Sequence, residues 1–190
     1  MAKRDTENSE IAHPLERLTR LMRAGEHEGG LNPAQWEALR YLSRANRFSN
    51  SPIALTRFLG STKGTISQTI KALERKGFIT KAPRQEEGRS ICLSLTPKGA
   101  EALKLDPLAE FSKSLDDLSG KTRRRLAKGL ADLLETDLKR REQPSFGICS
   151  SCRYFREKGR EADDPGPHSC MLFDVGLSQA ESEQICVEHS

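Results

Sequence analysis

Aromatic side chains are scarce in this 190-residue chain, which holds one Trp, two Tyr and seven Phe, 5% of the whole. With hydrophobic residues at 35%, that scarcity points to a modest aliphatic, helical core. Long apolar runs are missing too. Nothing approaches the length of a transmembrane helix, and the opening MAKRDTENSE is polar where a secretory signal would be apolar, so a cytoplasmic protein is expected. Catalytic constellations are lacking as well: there is no nucleophile elbow, no phosphate loop, and no Ser, His and Asp set at recognisable positions, so the chain is not expected to be an enzyme. Cysteine is nearly absent before residue 149, where Cys92 stands by itself. The net charge of +4 conceals an uneven distribution: residues 1–144 sum to +8 and residues 145–190 to −4. A basic front end suits contact with phosphate.

What is present is clearest in residues 51–77, SPIALTRFLGSTKGTISQTIKALERKG. Ser51 can cap a helix that Pro52 opens, with Ile53, Leu55, Phe58 and Leu59 as its expected apolar stripe and Gly60 as its end. Ser61 or Thr62 can then cap a second helix, in which Ile66, Ile70 and Leu73 recur on one face until Gly77 stops it. Lys63, Thr65, Ser67, Gln68 and Lys71 are left facing outward. Short hydrogen-bonding groups and cations of this kind reach base edges and phosphates in a major groove.

A hairpin follows. Phe78 to Ala82 reads as a strand, Pro83 to Ser90 as a polar turn containing Gly88, and Ile91 to Thr96 as a second strand with Ile91, Leu93 and Leu95 on one side and Cys92 on the other. Arg84 and Arg89 fall in the connection, where a projecting loop can set guanidinium groups against phosphate or in a minor groove. Thr96 and Pro97 start another helix.

The order helix, turn, helix, hairpin, with GTISQTIKALERKGFI followed by GRSICLSLTPKGAEAL, resembles the winged-helix regulators of the multiple-antibiotic-resistance (MarR) type over residues 10–141. LERKGFI and LSLTPKG are its strongest markers. The resemblance implies a homodimer that sets two recognition helices and two wings on a pseudo-palindromic double-stranded DNA operator. Members commonly carry an Asp two residues before a wing Arg, whereas Glu87 stands two before Arg89 here.

Apolar rows flank this region. Ile11 to Glu26 carries Leu15, Leu18, Leu21 and Met22, and Asn32 with Pro33 starts a helix holding Trp36, Leu39, Tyr41 and Leu42. Later, Leu103, Leu108, Phe111, Leu115 and Leu118 read as one run, broken near Gly120, and Leu126, Leu130, Leu133, Leu134 and Leu138 as another. The resemblance implies that the terminal rows pair across a dimer axis. Lys121, Arg123, Arg124, Arg125 and Lys128 open the last long helix, and Lys139, Arg140 and Arg141 close it where cations complement the macrodipole.

Past Gln143 and Pro144 the leucine pattern stops and Cys149, Cys152, Cys170 and Cys186 appear. In a reducing compartment a Cys-x-x-Cys pair with two further cysteines fits a tetrathiolate metal site, which also ties together a tail too short for its own core. Zinc is the first expectation, with His168 and His189 as alternate ligands, and a [4Fe–4S] cluster is the alternative. CSSCRYF, HSCMLFD and a last Cys resemble the ligand pattern of small high-potential iron–sulfur proteins, although only Tyr154, Phe155 and Phe173 are at hand to shield a cluster. His13 and His27 read as surface imidazoles.

The expected fold is mainly α with a small β-wing: an N-terminal dimerisation helix (1–30), a winged helix-turn-helix (31–100), C-terminal dimerisation helices (101–143) and a Cys-rich metal-binding tail (144–190). The expected function is a sequence-specific DNA-binding regulator, a repressor in the usual family manner, with a metal- or redox-responsive tail. The alternatives are a non-specific architectural DNA-binding protein with a structural zinc tail, and an iron–sulfur electron-transfer module fused to a DNA-binding domain.

Overall fold

The computed structural model of the chain describes residues 2–84, 91–159 and 166–190. Its centre is set by caps. The Asn32 side chain accepts the Gln35 amide at 2.9 Å while Gln35 Oε1 accepts the Asn32 amide at 3.3 Å, which fixes the start of α2 (Pro33–Arg44). Ser51 caps α3 (Pro52–Phe58), and Thr62, not Ser61, caps α4 (Lys63–Arg75) by accepting the Thr65 amide. Gly60 and Gly77 both adopt positive φ between and after these helices. Trp36, Leu39, Leu42, Leu55, Ile66, Ile70 and Leu73 then meet in one core.

The expected stripe of α3 needs correction. Leu55 is fully buried, but Ile53 is 62% exposed. Two residues apart on a helix lie on nearly opposite sides, so a seven-residue helix that buries Leu55 turns Ile53 to solvent. Phe58 is exposed on one side and packs its other against Tyr41, with ring centroids 4.7 Å apart.

β1 (Ile79–Pro83) pairs antiparallel with β2 (Ile91–Leu95), in the register Ile79 opposite Leu95 and Pro83 opposite Ile91. Leu93 is buried on this wing, whereas Ile91 is exposed, because the hairpin leaves the core as it rises. Residues 85–90, with Glu87, Gly88 and Arg89, lie outside the described residues, as does the side chain of His27. At the root of the wing, Thr96 caps α5 (Pro97–Leu103), accepting the Gly99 amide at 3.0 Å and donating to the Gly77 carbonyl at 2.7 Å. A side chain at Gly99 would sit 2.1 Å from the Phe78 carbonyl oxygen. The two marker motifs of the sequence are therefore halves of one joint, Lys-Gly-Phe at the end of α4 and Thr-Pro-Lys-Gly at the start of α5.

Outside this unit, α1 (Ala2–Ala24) begins well before Ile11 and leads into a 3-10 turn at Gly25–Gly30. The run from Leu103 to Leu118 is not continuous: Asp106 ends it, caps α6 (Pro107–Lys113), and takes both Arg40 Nε, at 2.8 Å, and Arg40 Nη2, at 2.5 Å. Arg40 also meets Glu26 at 2.5 Å, so a partly buried Glu26–Arg40–Asp106 group joins the N-terminal segment, α2 and α6. Burial alone would raise the Asp106 carboxyl, but the hydrogen bonds from Arg40 and from the Leu108 amide outweigh it and hold it below the usual carboxylate range. α7 (Gly120–Arg140), capped by Ser119, buries none of its residues in a single chain. Leu133 and Leu134 of that helix, with Ile11 and Leu21 of α1, are all strongly exposed.

The tail has more structure than its composition suggested. β3 (Phe155–Arg156), β4 (His168–Cys170) and β5 (Val175–Leu177) form an antiparallel sheet in that order, followed by α8 (Gln179–Ser182).

Candidate DNA-reading face and four-cysteine site

Ile66, Thr69, Ile70 and Leu73 anchor α4 in the core, so its other side is presented to solvent. Lys63, Thr65, Ser67, Gln68 and Lys71 are all exposed there, as expected. Thr62 is exposed as well, but its hydroxyl is engaged with Thr65, Oγ1 to Oγ1 at 2.9 Å, while Ser61 is half-buried just before the helix. These positions make one contiguous surface of cations, hydroxyls and an amide.

The wing behaves differently. Arg84 does not project: its Nη1 donates to the Arg47 carbonyl at 2.7 Å and its Nη2 to Asn50 Oδ1 at 3.0 Å. Both partners belong to the turn between α2 and α3, to which β2 is also tied through the Leu93 amide on the Asn50 carbonyl at 2.7 Å. Arg89 lies outside the described residues. The basic groups opening α7 are exposed, and two of them are paired, Arg123 with Asp116 at 3.4 Å and Lys128 with Asp132 at 2.7 Å.

Cys149, Cys152, Cys170 and Cys186, separated widely in the chain, border one cavity. Its remaining wall is mainly apolar, from Tyr154, Phe155, Leu172, Phe173 and Leu177. Cys149 and Cys186 are buried and the other two half-buried. A hydrogen bond from Cys149 pulls the Cys186 thiol below the usual thiol range against the effect of burial, with Asn46 and the Glu188 amide assisting. That bond, together with burial, pushes Cys149 far above the usual thiol range. Among the described residues, no three Cys, His, Asp or Glu side chains are grouped closely enough to hold one metal ion.

Neither alternate ligand faces the cavity. His168 is buried with Nε2 on Gln179 Oε1 at 2.8 Å and Nδ1 accepting the Lys158 amide at 3.3 Å. His189 has Nδ1 on Ser145 Oγ at 3.1 Å and Nε2 on Ser151 Oγ at 3.0 Å. Each imidazole is spent on holding the tail together.

Sequence reasoning missed the residues that join the tail to the reading head. The Ile185 amide donates to the Arg44 carbonyl at 2.8 Å, the Asn46 amide to the Ile185 carbonyl at 3.0 Å, and the Val187 amide to Ser49 Oγ at 2.8 Å. Arg47 reaches the Gly176 carbonyl at 2.6 Å and Glu181 at 3.0 Å. Phe48 stacks on Phe173 at 4.3 Å, and Asn46 Nδ2 donates to Cys149 Sγ at 3.3 Å. Residues 44–49 thus carry the tail on one side and lead into α3 on the other. A buried Asn in a loop looks unremarkable in sequence, since its partner lies 103 residues away.

Residues 29–90 match the model of the MarR family, whose members are DNA-binding transcriptional regulators and not enzymes. The chain is similar to the HTH-type transcriptional repressor YetL of Bacillus subtilis (strain 168), 29% identical over 109 residues, which is 56% of this chain and 65% of that protein. The match therefore spans less than two thirds of that relative's length. Among solved structures, a probable transcriptional regulator from Pseudomonas aeruginosa is 27% identical with a TM-score of 0.51, covering 65% of this chain and 96% of its own. The MepR–DNA complex of S. aureus is 17% identical with a TM-score of 0.55, covering 68% and 96%, and carries the same fold. The matched family region ends at residue 90, so the cysteines of the tail lie outside it.

Proposed function

We propose that the chain, whose residues 29–90 match the MarR family model, is a homodimeric, sequence-specific DNA-binding repressor whose four-cysteine tail binds metal and makes DNA binding responsive to it. The observation that carries this reading is the outward row of α4, Lys63, Thr65, Ser67, Gln68 and Lys71, opposite a fully anchored apolar side. Such a helix fits a major groove, with Gln68 suited to an adenine edge and the lysines to phosphate.

Dimerisation is supported by the apolar residues that α1 and α7 leave bare, Ile11, Leu21, Leu126, Leu130, Leu133 and Leu134. A two-fold pair would set the recognition helices about 34 Å apart, one turn of DNA. The relatives named as a transcriptional repressor and as a DNA complex support the same reading. Metal response is supported by the attachment of the tail to the turn that opens α3. The contacts of the tail run to residues 44–49 of the reading head. A shift at the cysteines is thereby passed to the helix-turn-helix itself.

Selection of bound sequences from a random DNA pool followed by competition binding tests the reading. Gln68→Ala should relax the preference at one base position by about 1–3 kcal/mol, and Lys63→Ala should weaken all sequences alike. An equal loss on operator and random DNA for both variants would favour a non-specific architectural protein.

A further inference from the structure

We propose that the cysteine tail positions the wing, with Arg47 as the positioning residue that links them, so that the tail acts on the DNA contacts of the wing and leaves those of α4 in place. The proposal deepens the DNA-binding reading above and rests on it, and it is independent of what the four cysteines hold.

Residues 46–50 serve the tail and the wing at once. Toward the tail, the Arg47 guanidinium donates to the Gly176 carbonyl at 2.6 Å and pairs with Glu181 at 3.0 Å, Phe48 stacks on Phe173, and Ser49 Oγ accepts the Val187 amide at 2.8 Å. Toward the wing, the Arg47 carbonyl accepts Arg84 Nη1 at 2.7 Å, Asn50 Oδ1 accepts Arg84 Nη2 at 3.0 Å, and the Asn50 carbonyl accepts the Leu93 amide at 2.7 Å. Arg84 directly follows β1 and Leu93 is the middle residue of β2, so both strands are tied to this turn. Arg47 holds the tail with its side chain and the wing with its main chain.

Burial decides which element responds. α4 is anchored by Ile66, Thr69, Ile70 and Leu73, whereas β1 and β2 bury only Ile79 and Leu93. The wing is otherwise held to the head at its root and by the Lys81–Glu74 pair at 2.6 Å. A packed helix resists displacement, and a hairpin with so few buried contacts takes its direction from the acceptors it is given. With the tail docked, those acceptors stand in fixed places, for Asn46 and Ser49 are fully buried. Without it, Arg47, Phe48 and Ser49 lose the partners that fix them, and the seats of Arg84 and Leu93 shift with them. A wing meets phosphate and minor groove beside the major-groove helix, so these contacts are the ones that change.

The test uses the full chain on its selected operator with Arg47→Ala, which removes the guanidinium and keeps the carbonyl that Arg84 uses. Hydroxyl-radical cleavage reports the minor-groove side of the complex, and methylation of guanine N7 by dimethyl sulfate reports the major groove. Operator binding should weaken by about tenfold, with the outer minor-groove protection lost and the N7 protection kept. Loss of both protections, or of neither, overturns the proposal. Arg84→Ala should give the same loss and the double variant no greater one, whereas additive losses would break the link. Should Arg47→Ala fail to fold, Phe173→Ala opens the same seam from the tail side, where the same split supports the proposal and an unchanged footprint overturns it. Amide resonances of Thr80, Ala82 and Leu93, recorded without DNA, should move in these variants, and resonances that stay in place count against the link. If the unaltered chain selects no DNA sequence, the regulator reading falls while those resonances still decide whether the tail positions the wing.

Discussion

The reading head and the cysteine tail are held together by different means. In the head, Leu39, Leu55, Ile66, Leu73, Ile79 and Leu93 are all essentially removed from water, and they come from three helices and both wing strands. In the tail the corresponding cluster is Leu177 with Cys149 and Cys186, and Phe48 of the head is packed against it. Burial of this extent supports the head at about 1.5–3 kcal/mol for each large aliphatic side chain. The tail's own cluster is smaller, so its order depends on the turn it leans against and on Phe146 and Ile185, which it inserts into the head's core. The two share a seam, for Phe146 and Ile185 of the tail are buried in the head's own core, Phe146 edge-on to Tyr41 and Phe58.

The largest effect that would test this contrast is on the head's own core. Leu73→Ala should lower the stability of the whole chain by about 3–5 kcal/mol in denaturant unfolding, because Leu73 is sealed between α4, α2 and the wing. A loss confined to the tail would break the comparison. Next comes Arg40→Met, which strands Glu26 and Asp106 without their cation. Its expected loss is about 2 kcal/mol, below that of a fully buried pair because part of the guanidinium is solvated. The same group predicts a pH effect. The Asp106 carboxyl is held lower in the folded chain than in the unfolded one, so its contribution is complete above about pH 4 and fades as acid carries it through its folded value. Asp106→Asn should flatten that acid limb, and an unaltered limb would remove Asp106 from the account.

Arg47→Ala should matter less to overall stability, by about 1 kcal/mol, but in a localised way. Limited proteolysis is expected to cut the tail faster while the head's melting stays where it was. Simultaneous loosening of both regions would show that they are not separable. Smallest of all, Ile53→Ser should move the melting temperature by no more than about 0.5 kcal/mol equivalent, since Ile53 faces solvent.

Ile53 also marks where the sequence stopped being legible. The caps Ser51, Thr62 and Thr96, the buried row of α4 and the two wing strands could all be read, because each is written within a few consecutive residues. Orientation over the seven residues of α3 could not, since so short a helix holds two competing apolar faces and only packing chooses between them. The break at Asp106 was hidden for a related reason: its meaning lies in Arg40, 66 residues earlier. Strands of two or three residues carry no detectable alternation, so the sheet of the tail was invisible. Of the candidate site residues, the outward row of α4 and the convergence of the cysteines were legible from spacing. The inward fold of Arg84 and the part played by residues 44–49 were not, because their partners are distant in the chain.

Those distances have a consequence for how the molecule comes into being. Ser49 waits for Val187, 138 residues on, and Asn46 for Cys149. Contacts this remote close late, whereas helices and hairpins form locally and fast. During synthesis the helices and hairpin of the reading head can therefore form while the tail is still being made, with Asn46, Phe48, Ser49 and the core faces met by Phe146 and Ile185 uncovered. A newly made copy then passes through a stage as a winged helix whose tail is not yet docked, and the length of that stage is set by translation.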